Sequence, residues 1–397
     1  MKSRFWTLRY ALINITYFAA FCGIHAYASV FLLNHGFSNT MIGILLALAN
    51  VISVVIQPIV AGIIDKGGKL TNRIAVMIST LTIIAGSLLL LFVGNSFIAV
   101  FIVYVLIYMI QMAYQPMMIA MNFEYQKEGC KINFGLARGL GSAGFAVTSV
   151  FLGTATQNYG VNVLIYTDVL VLLFSLLMVF FFKKPVEAFT NSTGEIVSKN
   201  SGEAHNNIFI FTKMYPKFMI LMAGIVCLFF AHNALNDFLF QIVKDLGGNE
   251  SQLGYANFLQ AILELPMMAA AAFLIKKVGT KPLLFMSAVF FTVKVIILYL
   301  STGIVGLYIS ESFQLLAYAV IIPVAAYYVT EVLEEGDQVK GQAFINCAIT
   351  IGGVFSNLLC GKVLDEFGSK AMLLIGCIIS CVGVLLFIPA LMGRKSR

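Results

Sequence analysis

Gly62 to Arg73 reads GIIDKGGKLTNR, a short polar loop between two long apolar runs, 40–64 and 74–94. Each run exceeds about 18 residues, the length that crosses bilayer hydrocarbon as a helix. A loop this short leaves both runs no choice but to be antiparallel neighbours.

The same alternation extends in both directions. Twelve spans can be laid down, roughly 8–33, 40–64, 74–94, 97–121, 133–155, 161–182, 218–243, 251–275, 282–301, 304–332, 342–361 and 371–393. Of 397 residues, 60% are hydrophobic and 11% charged, against about 25% charged in a soluble domain. The short alternating segments of a transmembrane β-barrel are absent from the sequence. The expected fold class is therefore an all-α integral membrane protein. The first apolar run is too long for the apolar region of a signal peptide. Seven cysteines show no CxxC spacing and read as small core residues, with no metal site expected.

One connection is long. Residues 183–217 contain NSTGEIVSKNSGEAHNN, a polar linker. It divides the chain into a six-helix bundle at 1–182, a linker at 183–217 and a second bundle at 218–397. The two halves read as a duplication. LGTATQNYG (152–160) follows span five and CGKVLDEFG (360–368) follows span eleven, each with a glycine and then an aromatic-glycine pair. The loop after span eight, FLIKKVGTK (273–281), keeps the basic and glycine residues of the opening loop without its aspartate.

Of the 25 Lys and Arg residues, Lys244, Lys362 and Lys370 fall on one side, and Arg138 and Lys294 fall inside spans. The rest share a side with both termini and the linker, which the positive-inside rule makes cytoplasmic. The expected location is the cell membrane.

Two six-helix halves, the long middle loop and Gly62, Asp65, Lys66, Gly67, Lys69 and Arg73 after span two resemble the major facilitator superfamily. In the loop, Gly62 is expected to allow close helix approach. Asp65 would face the positive end of a neighbouring helix, and the basic residues would hold the loop at the cytoplasmic surface. Within the superfamily the chain is similar to the oligosaccharide/proton symporter family. QPIVAGIIDKGGK (57–69), NFGLARGLGSAGFA (133–146), AILELPM (261–267) and VGTKPLLFMSAVFFTVKVI (278–296) carry that resemblance, with CGKVLDEFG.

The resemblance implies a monomeric proton symporter whose partners are a small-molecule solute, a proton and the bilayer. It implies no cofactor beyond the coupling proton and no nucleic acid. It places Arg138 at the arginine that binds sugar hydroxyls, and Phe145 at the aromatic that stacks on the sugar ring. Glu264 matches a glutamate of substrate binding and proton coupling. Lys294 stands where the family has an arginine beside its protonation site. The chain departs from the family in span four, where Ile119 or Ala120 replaces a carboxylate and Asn122 is the nearest polar residue. It departs again in span ten, where Gln314 and Ala317 replace a histidine and a glutamate.

The residues themselves support a polar interior. A charge at a helix centre costs about 2.5–3.5 kcal/mol on the insertion scale, so such residues face a cavity and a partner. The competing reading of Arg138 is a side chain snorkelling to the interface. Span four carries Tyr104, Tyr108, Gln111, Gln115, Met118 and Asn122 on one face. Span one carries Asn14, Tyr17, Phe21 and His25, and span two Asn50, Ser53 and Gln57. Span eight carries Asn257, Gln260 and Glu264 on one face, and span ten Glu311, Gln314 and Tyr318. Such stripes either line a shared wet cavity or bond helix to helix. Arg138, Phe145, Asn122, Gln115, Gln111, His25, Asn257, Gln260 and Gln314 are the candidate substrate ligands. Glu264 and Glu311 are expected to share the proton, with Lys294 sensing it. Asp237 or Glu311 is the expected partner of Lys294. Asp168, Glu331 and His232 carry no assigned role.

The function expected is proton-coupled uptake of a sugar, oligosaccharide or glycoside. The alternative is a proton-coupled efflux antiporter for drugs or metabolites, which 34 Phe and 17 Met permit. An HExxH, a P-loop or a GxSxG with ordered partners is missing, so an enzyme is not expected.

Overall fold

The computed structural model describes residues 2–66, 70–93, 96–183 and 208–392. Among them the chain is helical throughout, without strands. In the first half the spans are Asn39–Asp65, Asn72–Val93, Phe97–Lys127, Phe134–Tyr159 and Asn162–Phe181, preceded by a broken first span. In the second half, spans eight and nine are Glu250–Val278 and Thr280–Leu300. One continuous helical stretch, Gln338–Leu391, holds spans eleven and twelve. Gly368 (φ 77°, ψ 178°) breaks it between them. This glycine is the second copy of the repeat seen in the sequence. Its counterpart Gly160, at the end of span five, has φ 84° and ψ 173°. Both need the left-handed region that only glycine enters cheaply.

The duplication reaches further than the sequence repeat. Span one runs Lys2–Phe21, a π-helical turn Cys22–Ala26, and Ala28–Asn34, with Tyr27 at φ −105° and ψ 11°. Span seven runs Pro216–Asp237 and Leu239–Asp245, with Phe238 at φ −115° and ψ 22°. The first helix of each half therefore breaks at a similar point along its length. Each is followed by a positive-φ glycine, Gly36 and Gly247. Span ten breaks as well: Ile304–Ser312, a 3₁₀ turn Phe313–Leu315, then Tyr318–Val332. A helix break frees carbonyls that need other donors in a membrane. Tyr104 donates to Ile24 O at 2.7 Å, and Ser287 donates to Ala317 O at 2.7 Å beside the backbone bond that carbonyl accepts from Ile321 N.

Two compact units emerge: Met1–Gly194 with Gly248–Ile262, and Glu195–Gly247 with Leu263–Arg397. In the first, a Cβ at Gly141 would lie 2.7 Å from Phe18 and one at Gly144 would lie 3.0 Å from Ile15, so span five presses directly on span one. In the second, a Cβ at Gly352 would lie 2.6 Å from Val226 O, which puts span eleven on the backbone of span seven. Small residues permit such approach where lipid provides no hydrophobic drive between helices. Most of the predicted linker lies outside the described residues. Its end, Ile208–Met214, is helical and anchored: Phe211 is buried and stacks on Phe344 at 5.0 Å.

The opening loop corrects one expectation. Gly62 is exposed and a Cβ there would meet nothing within 4 Å among the described residues, so it mediates no close approach. Lys66 is exposed. The Asp65 side chain, Gly67 and Lys69 lie outside the described residues. Arg73 does more than hold the surface. Its Nε donates to Val179 O at 3.0 Å and its Nη2 to Phe180 O at 2.6 Å, so it caps the C-terminal carbonyls of span six. A cation at the negative end of a helix dipole contributes about 0.3–1 kcal/mol when exposed. Arg73→Ala is expected to lower the melting temperature of the purified protein, with Arg73→Lys recovering part of the loss. An Arg73→Ala protein that melts with the wild type refutes the cap.

Candidate functional site

In the first unit the polar residues gather around the π-helical turn of span one. Such turns are frequent at functional sites. Here the turn carries His25. Its ring stacks on Phe21 at 3.9 Å with an interplanar angle of 6°, and the Tyr108 ring lies 3.7 Å away. Phe145 stands 6.5 Å from Phe21. Gln111, one turn along from Tyr108, is 0% exposed, and its side-chain amide lies against the His25 imidazole without a hydrogen bond of ordinary geometry. A buried amide so loosely met leaves room for a ligand or water to satisfy it.

Arg138 is half-buried on span five. Its guanidinium lies 4.0 Å over the Phe18 ring, and its Nη1 donates to Ser142 Oγ at 2.9 Å. The ring face and the hydroxyl together fix the fork. Phe18 and Ser142 were not among the candidates. Ser142 is legible as the i+4 neighbour of Arg138, whereas Phe18 comes from another helix. Asn122 is buried and its Oδ1 accepts from Gln126 Nε2 at 3.3 Å. Gln115 is half-buried.

Several stripe residues prove to bond helix to helix or along their own helix. Tyr17 donates to Gln111 O at 2.9 Å, and Asn14 donates to Tyr10 O at 2.9 Å. Gln57 donates to Ser53 Oγ at 3.2 Å. Asp168, buried in span six, accepts from Ser87 Oγ at 2.6 Å. Glu331 accepts from Thr280 Oγ1 at 2.6 Å, where the N-terminal dipole of span nine favours a carboxylate.

In the second unit the break in span ten assembles a relay. Lys294 Nζ lies 2.7 Å from Glu311 Oε2 and donates to Gln314 Oε1 at 2.9 Å. Gln314 Nε2 then donates to Glu264 Oε1 at 2.9 Å. Lys294, Glu311 and Gln314 are at most 2% exposed, and Glu264 is half-buried. Ser310 donates to Lys294 O at 2.8 Å, tying span ten to span nine at this level. The amide can serve only in one orientation. Its oxygen must accept from the ammonium and its nitrogen must donate to the carboxylate. Gln314, expected to bind substrate, instead joins the ion pair to Glu264. The ion pair Lys294 makes is with Glu311, while Asp237 stands beside Asn357 and Cys360.

His232 is buried, stacks on Tyr318 at 5.0 Å and pairs through Nε2 with Asn236 at 2.9 Å. On span eight, Asn257 is buried with its Nδ2 lacking a hydrogen-bond partner, and Gln260 is half-buried. A group of three or more His, Cys, Asp or Glu able to hold a metal does not occur among the described residues.

Residues 7–375 match the model of the MFS_1 like family. The "Uncharacterized transporter YwbF" of Bacillus subtilis (strain 168) is 24% identical over 366 residues, covering 91% of this chain and 87% of that protein. Among solved structures, a point mutant of the nucleoside transporter NupG aligns with a TM-score of 0.82 at 13% identity, covering 97% of this chain and 99% of that one. A bacterial homologue of the human lysosomal transporter Spinster, inward-facing and unoccupied, aligns with a TM-score of 0.68 at 12% identity, over 98% of this chain and 97% of that one. At such identities the structural likeness speaks for the fold, and the family model speaks for the family. The chain belongs to the MFS_1 like family and is a multi-pass membrane transporter of the major facilitator kind.

Proposed function

We propose that the protein takes up a polar, hydroxyl-bearing small solute, a sugar, oligosaccharide or glycoside, in symport with a proton and by alternating access. It would act in the cell membrane with both termini cytoplasmic, following its Lys and Arg distribution.

The observation that carries this reading is the relay Glu264–Gln314–Lys294–Glu311. A buried lysine paired with a buried glutamate is neutral as a unit. Glu264 is the half-buried carboxyl of the set and accepts from the Gln314 amide, and the reading assigns it the exchangeable proton. Protonated, it donates a hydrogen bond. Ionised, it only accepts and pulls harder on the Gln314 amide, which transmits the change to Lys294. Arg138, held on Phe18 and Ser142, presents donors suited to vicinal hydroxyls.

A nucleoside is the second reading. It shares the hydroxyls, and the Phe21, His25 and Tyr108 rings beside the Gln111 amide suit a planar base with donor and acceptor edges. The solved relative NupG is described as a nucleoside transporter.

Proteoliposomes without an imposed gradient test both. Adding the right sugar, glycoside or nucleoside should alkalinise the medium as solute enters. Arg138→Lys should abolish binding, since a point charge cannot replace the fork. Glu264→Gln should retain solute exchange but lose accumulation driven by a proton gradient. Solute flux with no pH change refutes proton coupling. Normal transport by Arg138→Lys refutes the binding role.

A further inference from the structure

Span seven buries an imidazole that takes no part in the relay. His232 is 5% exposed and boxed by rings. Tyr318 stacks on its face at 5.0 Å and 18°, while Phe229 and Phe291 meet it edge-on at 5.6 and 5.5 Å. One turn along span seven, Asn236 donates from Nδ2 to His232 Nε2 at 2.9 Å. With Nε2 accepting, the ring proton sits on Nδ1. That atom is buried and has no hydrogen-bond partner. A buried N–H left unmet costs about 1–3 kcal/mol, and a phenylalanine or leucine would fill an aromatic box without that cost. What the imidazole contributes in return is the hold of its other nitrogen on Asn236 and of its face on Tyr318.

Those two side chains are more open than the imidazole behind them: Asn236 and Tyr318 are both half-buried, on spans seven and ten. Asn236 is held by its amide nitrogen, so its carbonyl oxygen points the other way, an acceptor suited to a hydroxyl. Tyr318 is held on one face by the imidazole, and Phe229 meets it edge-on at 6.1 Å, so its ring is a fixed plate. Tyr318 also follows Gln314 by four residues, and Gln314 Nε2 donates to Glu264 Oε1 at 2.9 Å. An aromatic plate, an amide acceptor and a tie to the relay thus occur together within the second unit.

We infer that Asn236 and Tyr318 contact the transported solute and that His232 is the positioning residue behind them. The solute class is a ring that carries hydroxyls, with its flat face on Tyr318 and a hydroxyl donating to Asn236 Oδ1. This rests on the uptake of a hydroxyl-bearing solute proposed above, and adds contacts apart from Arg138 and the relay. His232 touches no solute. It fixes two side chains whose freedom would otherwise be lost on binding.

The test measures equilibrium binding of glucose, sucrose, phenyl β-glucoside and uridine to the purified full-length protein in detergent, with its melting temperature alongside. For a probe that binds the wild type, His232→Phe should weaken binding about tenfold or more. Its basal melting temperature should equal or exceed that of the wild type, because the unmet N–H is gone. A merely structural role would lower both. His232→Gln, which can reach Asn236 across one helical turn, should recover part of the affinity. Asn236→Leu should also weaken binding, and the double variant His232→Phe with Asn236→Leu should lose no more than the larger single loss, since the two side chains act as one unit. Tyr318→Phe keeps the plate and should bind, whereas Tyr318→Leu should not. A His232→Phe protein that binds as the wild type does, or losses that add in the double variant, overturns the inference and leaves the uptake reading standing. Failure of the wild type to bind any of the four probes overturns both. If His232→Phe does not fold, normal binding by Asn236→Leu or Tyr318→Leu overturns the inference in its place.

Discussion

Lys294→Met is expected to destabilise the folded transporter by about 3–5 kcal/mol, the usual cost of removing one partner from a buried ion pair. The substitution removes the ammonium that meets Oε2 of Glu311, a residue 0% exposed, at 2.7 Å. It also removes the donor that orients the Gln314 amide. Thermal unfolding of the purified variant, and its yield from membranes, measure the loss. Glu311→Leu should cost a similar amount, because it leaves a lysine at 1% exposure without its carboxylate. The double variant separates packing from chemistry. Replacing both charges by apolar side chains of similar volume is often neutral or stabilising, so Lys294→Met with Glu311→Leu should regain most of the lost melting temperature. Transport should stay absent in it, since the relay has lost two of its four members. Single variants that melt with the wild type would show that the pair is not a buried ion pair. A double variant that accumulates solute would remove it from coupling.

Gly352→Ala is the second large effect. The added Cβ would lie 2.6 Å from Val226 O, 2.9 Å from Phe230 N and 3.1 Å from Phe229 C. All three are backbone atoms of span seven, so no side chain can swing away and the two helices must separate. Over-packing of this kind costs about 1–3 kcal/mol and more where the backbone must move. Gly141→Ala meets a softer neighbour, Phe18 Cδ2 at 2.7 Å. It should be less destabilising yet weaken solute binding, because Phe18 is the ring beneath Arg138. Gly62→Ala is the contrast, its Cβ meeting no other element within 4 Å among the described residues. There the helix propensity of alanine dominates, and a gain of about 0.5–1 kcal/mol is expected. The three melting temperatures should therefore fall in the order Gly62→Ala, Gly141→Ala, Gly352→Ala, from highest to lowest. Equal melting of the first and last contradicts the close approach of spans seven and eleven.

The glycines show how far a sequence carries. Gly160 and Gly368 could be recognised as repeat partners, and they share one backbone conformation. Gly62 stood in the most conspicuous motif, and a Cβ there meets no other element among the described residues, while Gly352 stood in none and lies on a neighbouring backbone. Proximity to another helix leaves no mark on the local pattern of residues. Candidate site residues divide in the same way. Arg138, Lys294 and Glu311 announced themselves by the cost of a charge in a span. Gln111 and Asn122 lay on a readable stripe beside Tyr104, whose role is to bond across helices, and the stripe does not distinguish them.

Bilayer thickness acts on each apolar run separately, so the number, length and order of the spans follow from the sequence alone, as do the duplication and the list of interior charges. Partner choice does not. Lys294 had two acids as expected partners, and the fold set Glu311 at 2.7 Å by breaking span ten between Ser312 and Tyr318. That run reads as unbroken because part of what holds the break comes from elsewhere: Ser287, on another helix, donates to the carbonyl of Ala317, which also accepts from Ile321 N at 3.1 Å. The same holds at Ile24, whose carbonyl Tyr104 satisfies. A helix breaks where a distant donor can meet its freed carbonyls, and that meeting exists only in three dimensions.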